Sequence, residues 1–117
     1  MKSLLPTAIL MLLTASGVAQ AHTRLEMAMP ADNAVLAAPP TELMLHFSEA
    51  TRLTALSIQK EGEKEQRSIA PLPKEASAAL KVPLAPLAPG KYTVNWRVVG
   101  DDNHVMSGLL HFTVNVK

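Results

Sequence analysis

The residues able to do chemistry in this sequence gather around two histidines. His22 follows Ala19-Gln20-Ala21, the small-x-small pattern that signal peptidase cuts. Cleavage after Ala21 gives His22 a free α-amine beside its imidazole. Those two nitrogens can close a chelate ring on one metal ion, which an internal histidine cannot do, and a planar set of such nitrogens suits Cu(II). His104 is the second. It ends Gly100-Asp101-Asp102-Asn103-His104, directly after an apolar run that closes at Val99. Asp102 and His104 stand two apart, so they can converge or bond to one another, and a carboxylate beside a ligating histidine fixes the tautomer of its ring. Asp101 is as close in sequence, and either acid can be the partner of His104.

Each of these residues also has a plainer reading. Any residue can follow a cleavage site, mature N-termini fray, and a loop histidine behind two acids commonly just completes a turn. His46 and His111 alternate with Leu45/Phe47 and Leu110/Phe112, which places both on a solvent face as non-ligands, His46 being at most a weak adventitious site. The local zinc signatures, His-Glu-x-x-His and Cys-x-x-Cys, do not occur. A metal site would therefore be assembled from distant parts of the chain, and the fold must bring them together.

Residues 1–21 read as a secretory leader, with Lys2 as the positive n-region and an apolar stretch from Leu4 to Leu13. That stretch is too short to span a bilayer, and no later segment approaches the ~20 apolar residues a span needs. The chain contains no cysteine, which excludes a lipid-modified cysteine, a disulfide framework and thiolate metal ligands. The expected product is a periplasmic protein of residues 22–117, not embedded in the membrane and built around a single core. With Lys2 removed from the 11 basic residues, the mature chain balances its 10 acidic ones. Near-zero net charge argues against a nucleic-acid partner and against docking on anionic lipid.

The mature chain has the period of β-structure throughout. Leu25, Met27 and Met29 alternate with other residues, as do Leu43, Leu45 and Phe47; Tyr92, Val94, Trp96 and Val98; and Leu110, Phe112, Val114 and Val116. Weaker strands are expected at 55–59, 67–70 and 78–82. Turn signals separate them at Pro30-Ala31-Asp32-Asn33, Ala38-Pro39-Pro40, Glu61-Gly62 and Pro86 to Gly90. The Ala-rich stretches 31–38 and 74–79 are short, and nearby prolines argue against long helices. The charged segment 59–67 reads as a solvated hairpin. The fold expected is all-β: a seven- or eight-stranded antiparallel Greek-key sandwich. Met27, Met29, Tyr92 and Trp96 are assigned to its core.

The combination of words along the chain resembles the copper resistance protein C (CopC) family of small periplasmic copper carriers. These words are His22 with Pro30-Ala31, Leu45-His46-Phe47-Ser48-Glu49, the run Leu87 to Val99 containing Pro89-Gly90-Lys91-Tyr92 and Asn95-Trp96-Arg97, then Asp102-Asn103-His104, Gly108 and Phe112-Thr113-Val114. The resemblance covers essentially the whole mature chain. It implies an immunoglobulin-like or cupredoxin-like sandwich with one Cu(II) ion held at one end. The ligands it implies are the α-amine and imidazole of His22, the imidazole of His104, and Asp102 as oxygen donor or orienting group, with Glu49 a nearby acid in some members. It further implies handover to an inner-membrane partner of the CopD type. Some relatives carry a methionine-rich Cu(I) loop after the Phe-Ser-Glu strand. Here Ala50 to Lys91 contains no methionine, and Met27, Met29, Met44 and Met106 are scattered in sequence, so a thioether Cu(I) site is not expected.

Two other functions fit parts of the pattern. An N-terminal histidine with a second histidine is also the copper brace of oxidative polysaccharide-cleaving enzymes, but one Trp, one Tyr and two Phe leave little for a sugar-binding platform. A sandwich that binds no metal and serves as an interaction module is the other. The reading carried forward is a copper carrier with no enzymatic activity.

Overall fold

A computed structural model describes residues 23–115. The leader, His22 and Val116 lie outside the described residues. Seven strands and no helix occur among the residues described: β1 (Leu25–Met29), β2 (Ala34–Leu36), β3 (Glu42–Lys60), β4 (Arg67–Ser68), β5 (Ser77–Pro83), β6 (Gly90–Gly100) and β7 (Val105–Val114). The all-β expectation holds, with two differences in detail. The strands expected at 43–47 and 55–59 are one continuous strand, the 19-residue β3. The three-residue β2, inside the Ala-rich stretch, runs parallel to β7 where only antiparallel pairs were expected.

β3 runs through the bend of a single seven-stranded sheet of order β1-β3-β6-β7-β2, with β4 and β5 also paired to it. Its first part pairs antiparallel with β1 and β5 through Glu42 to Phe47, and its second part pairs with β6 and β4 through Thr51 to Lys60. Thr51 is the corner residue, opposite both Ser77 of β5 and Gly100 of β6. β6 then pairs with β7 along ten residue pairs, and β2 closes the far edge.

Alternation along β3 explains why both parts hold. Leu43, Leu45 and Phe47 are buried in the first part, and Leu53, Leu56 and Ile58 in the second. The register shift between Leu53 and Ala55 keeps the apolar face inward after the bend. Phe47 meets Trp96 of β6 edge to face, with ring centroids 5.3 Å apart. Tyr92 stacks on Phe112 at 5.6 Å, and its hydroxyl donates to the carbonyl of Ala88 at 2.6 Å, anchoring the turn before β6. Such aromatic pairs contribute about 0.5–1.5 kcal/mol beyond the area they bury.

β1 corrects the expectation for its methionines. A bulge between Leu25 and Met27 inserts Glu26 and shifts the register, so Leu25 opposes Phe47 but Met27 opposes His46. Leu25 packs against the core, as does Ala28, whereas Met27 and Met29 face outward with 49% and 57% of their surface exposed. Period alone cannot register an inserted residue, and one insertion exchanges the two faces.

Asp32 ties the β2 edge to the sheet. Its carboxylate accepts the backbone N–H of His111 at 2.8 Å and lies 3.1 Å from His111 Nδ1. The His111 N–H is the leading cause that holds Asp32 below the usual carboxylate range. His111 is exposed, as expected for a non-ligand, and His46 is half-buried.

Gly108 lies under the indole of Trp96, and a Cβ built there would stand 2.4 Å from Trp96 Cζ2. Gly108→Ala should therefore force the ring or the β6–β7 pair to shift, costing about 1–3 kcal/mol. Urea unfolding followed by the fluorescence of this single tryptophan measures it, and an unchanged midpoint would mean the ring moves without cost.

Candidate metal centre

The loop joining β6 to β7 is a tight turn whose side chains and backbone are bonded together. The N–H of Asn103 donates to the carbonyl of Gly100 at 3.0 Å, and the N–H of Gly100 donates to the carbonyl of His104, also at 3.0 Å. Asn103 sits in the left-handed region at φ 66°, which asparagine tolerates better than most residues. Asp102 Oδ1 accepts the backbone N–H of His104 at 3.0 Å, and its Oδ2 lies 3.3 Å from His104 Nδ1. Asp102, and not Asp101, is thus the partner of His104. An aspartate that bonds to the backbone two residues on is a turn-forming device, so one residue both shapes the loop and addresses the ring.

Both side chains are well exposed, at 61% each, at one end of the molecule. The His104 N–H is the largest influence on Asp102 and holds its carboxyl below the ordinary value of 3.8, with a smaller contribution from the ring. A carboxylate on Nδ1 selects the tautomer in which that nitrogen carries the proton and Nε2 carries the lone pair.

The start of the described chain runs beside this loop. A Cβ built on Gly100 would lie 3.3 Å from Asp102 Oδ1 and 3.6 Å from Thr23 Oγ1, so Thr23 and Asp102 flank the same buried glycine. Arg24 is fastened to β3 by two bonds, its N–H donating to Ser48 Oγ at 3.0 Å and its carbonyl accepting the N–H of Ser48 at 2.9 Å. Glu49, the residue after Ser48, is exposed at the same end, two residues before the Thr51 that opposes Gly100.

Of the expected site residues, the structure brings Asp102 and His104 into contact and puts Glu49 at the same end. His22 lies outside the described residues. No group of three or more His, Asp or Glu side chains placed to hold a metal occurs among the described residues. Thr23 and Ser48 were not singled out in the sequence, because their roles depend on β1 crossing to β3, which no local pattern encodes.

The all-strand fold thus displays an Asp–His turn beside the first described residues, with both side chains open to solvent. The chain belongs to the CopC family: residues 25–115 match the profile described as CopC domain. It is 35% identical over 107 residues to Copper resistance protein C of Escherichia coli, covering 82% of this chain and 83% of that one. It is also 39% identical over 102 residues to Protein YobA of E. coli K12, covering 83% and 80%. Among solved structures it is similar to CopC from Methylosinus trichosporium OB3b, with TM-score 0.64, 27% identity, and 81% and 95% of the two chains covered. It is similar too to PcoC, a methionine-rich copper resistance protein from E. coli, with TM-score 0.61, 29% identity, and 81% and 100% covered.

The Asp102 contacts predict a specific titration in metal-free protein. A lowered folded pKa means that the carboxylate stabilises the loop above the unfolded value, and that this contribution is lost as pH falls through the folded one. Carbon-detected NMR of the Asp102 carboxyl should give a midpoint below 3.8. His104→Ala should keep most of that depression, since the backbone N–H is its main cause; return to the ordinary value would show that the ring dominates instead.

Proposed function

We propose that this protein is a periplasmic copper carrier, released by cleavage after Ala21, that binds one Cu(II) ion per chain. Its ligands are the α-amine and imidazole of His22 and the imidazole of His104, with Asp102 orienting His104. The observation that carries this reading is the approach of Thr23 to the Gly100–Asp102 turn. His22 is joined to Thr23 by one peptide bond, so its Cα lies within about 3.8 Å of the Cα of a residue already beside the loop. The relatives named as copper resistance proteins support copper as the cargo.

The division of labour follows from the geometry. Asp102 spends both oxygens on His104, one on its N–H and one on its ring, and so acts by positioning before it acts as a ligand. Nε2 is then the atom of His104 that meets the metal. Two imidazoles and an amine around Cu(II) need no further selectivity device against Zn(II), because the affinity order of divalent ions already favours copper. Glu49, exposed two residues before the Thr51 that opposes Gly100, is the acid of β3 from which an outer carboxylate would come. Reduction to Cu(I), which prefers softer and fewer donors, weakens such a site and gives a route to release toward an inner-membrane partner of the CopD type.

A carrier fits better than an oxidative enzyme acting on polysaccharide. The one Trp, the one Tyr and both Phe are in the core, at 8%, 3%, 1% and 2% exposure, so no aromatic surface remains to hold a sugar chain.

Cu(II) titration against a competing chelator, with electron paramagnetic resonance at the end point, tests the reading. Protein starting at His22 should bind one equivalent with a nitrogen-rich tetragonal signal. One extra glycine before His22 should weaken binding at least a hundredfold, and His104→Ala at least tenfold. Binding should also weaken as pH falls, because amine and imidazole must shed protons to coordinate. Equal, weak binding by all three proteins would remove the carrier reading.

A further inference from the structure

The outer face of the sheet at β1 and β3 holds a second set of metal-donor side chains, none of them on the β6–β7 turn that carries Asp102 and His104. Met27 stands directly opposite His46, and Met29 directly opposite Met44. Directly opposed residues in an antiparallel pair point to the same side, with Cβ atoms about 4.5–5.5 Å apart. The side is the outer one, because Ala28, Leu43, Leu45 and Phe47, which alternate with them, are buried. The two rows are about 7 Å apart along the strands. Three thioethers and one imidazole, scattered in the sequence, thus form a compact quadrilateral on a flat surface. The Glu26 bulge creates it, since without that insertion Met27 and Met29 would share the inward face with Leu25.

We propose that Met27, Met29, Met44 and His46 form a binding site for a soft monovalent d10 metal ion, Cu(I) or Ag(I). Thioether sulfur is a neutral, polarisable donor that selects such ions over hard divalent cations, and imidazole joins it readily. Methionine has three rotatable bonds, so donors on adjacent strands can close on one ion with no backbone movement. The surroundings favour this use. Met29 and Met44 line a common groove of about 280 Å³ walled by Pro30, Leu36 and Pro40, which shelters a metal–sulfur bond from water. On the other side of β3, Ala79 opposes His46 and leaves its ring uncrowded, while Lys81 opposes Met44 and can extend its ammonium into solvent along its flexible stem.

The site is separate from the one proposed for Cu(II). Met29 lies four residues beyond Leu25, about 14 Å along β1 and away from the Thr23 end. It requires neither a free α-amine nor the Asp102–His104 pair, so it does not depend on the carrier reading.

Ag(I), soft and redox-inert, is the probe. It is titrated into protein starting at His22, into the same protein with one extra glycine in front, and into Met29→Leu/Met44→Leu. Leucine conserves volume at these outward positions, and unfolding curves confirm that the double variant is folded. Methionine-methyl and imidazole NMR signals should shift at Met27, Met29, Met44 and His46 up to one equivalent, with Met106 unmoved. The double variant should bind Ag(I) at least tenfold more weakly while its Cu(II) titration is unchanged, and the extra glycine should leave Ag(I) binding intact. Undiminished Ag(I) binding by the folded double variant, or shifts confined to Met106 or His104, would overturn the proposal whatever the Cu(II) titration shows.

Discussion

The structure depends on β3 carrying two successive sets of partners within one curled sheet. A single strand of 19 residues avoids a chain break at the corner, and Thr51 carries the junction by opposing Ser77 on one side and Gly100 on the other. Three consequences follow from that one strand. Gly100, and with it the Asp102–His104 turn, is fixed to the corner. Ser48, three residues before the corner, holds Arg24 and so brings the residues just before β1 to the same end. Met44 and His46, earlier still, face outward because their neighbours fill the core. The Asp102–His104 turn and the methionine face are therefore both placed by the position of residues along β3.

Much of this was legible in the sequence, and the parts that were not have physical reasons. The runs after Thr41 and Gly90 and the run ending at Val114 alternate without interruption, and all are strands whose predicted face is buried. The Asp-Asn-His turn was legible because its residues have local preferences: aspartate bonds forward along the backbone and asparagine accepts positive φ. Met27 and Met29 were misassigned because an inserted residue leaves no trace in composition while reversing the faces. The continuity of β3 was missed because Ser48-Glu49-Ala50 is polar or small, as a loop would be, and the strand bends there under tertiary contacts. β2 and the Asp32–His111 bond were invisible for a third reason. They join residues 78 and 79 positions apart, and three residues of strand have no period.

The Asp102–His104 turn and the methionine face differ in chemistry as well as in place. The turn is fixed by its own hydrogen bonds, and the Asp102 carboxylate on Nδ1 selects one tautomer of the His104 ring. The methionine face is the opposite case. Its backbone is paired, but its side chains are long and flexible, with three rotatable bonds in each methionine. One small scaffold thus presents a fixed polar turn and an adaptable thioether surface.

The shortness of the outer strands has a consequence of its own. β1 has five residues and a bulge, β2 three and β4 two, whereas β3, β6 and β7 have 19, 11 and 10. β6 lies enclosed between β3 and β7, and the first part of β3 between β1 and β5. The shortness of β2 leaves β7 different: β2 pairs with Phe112 to Val114 only, so the outer edge from Val105 to Leu110 has no strand beside it among the described residues. That edge is the part of the sheet a further strand would lengthen, while the brief or kinked margins elsewhere are too short to template one.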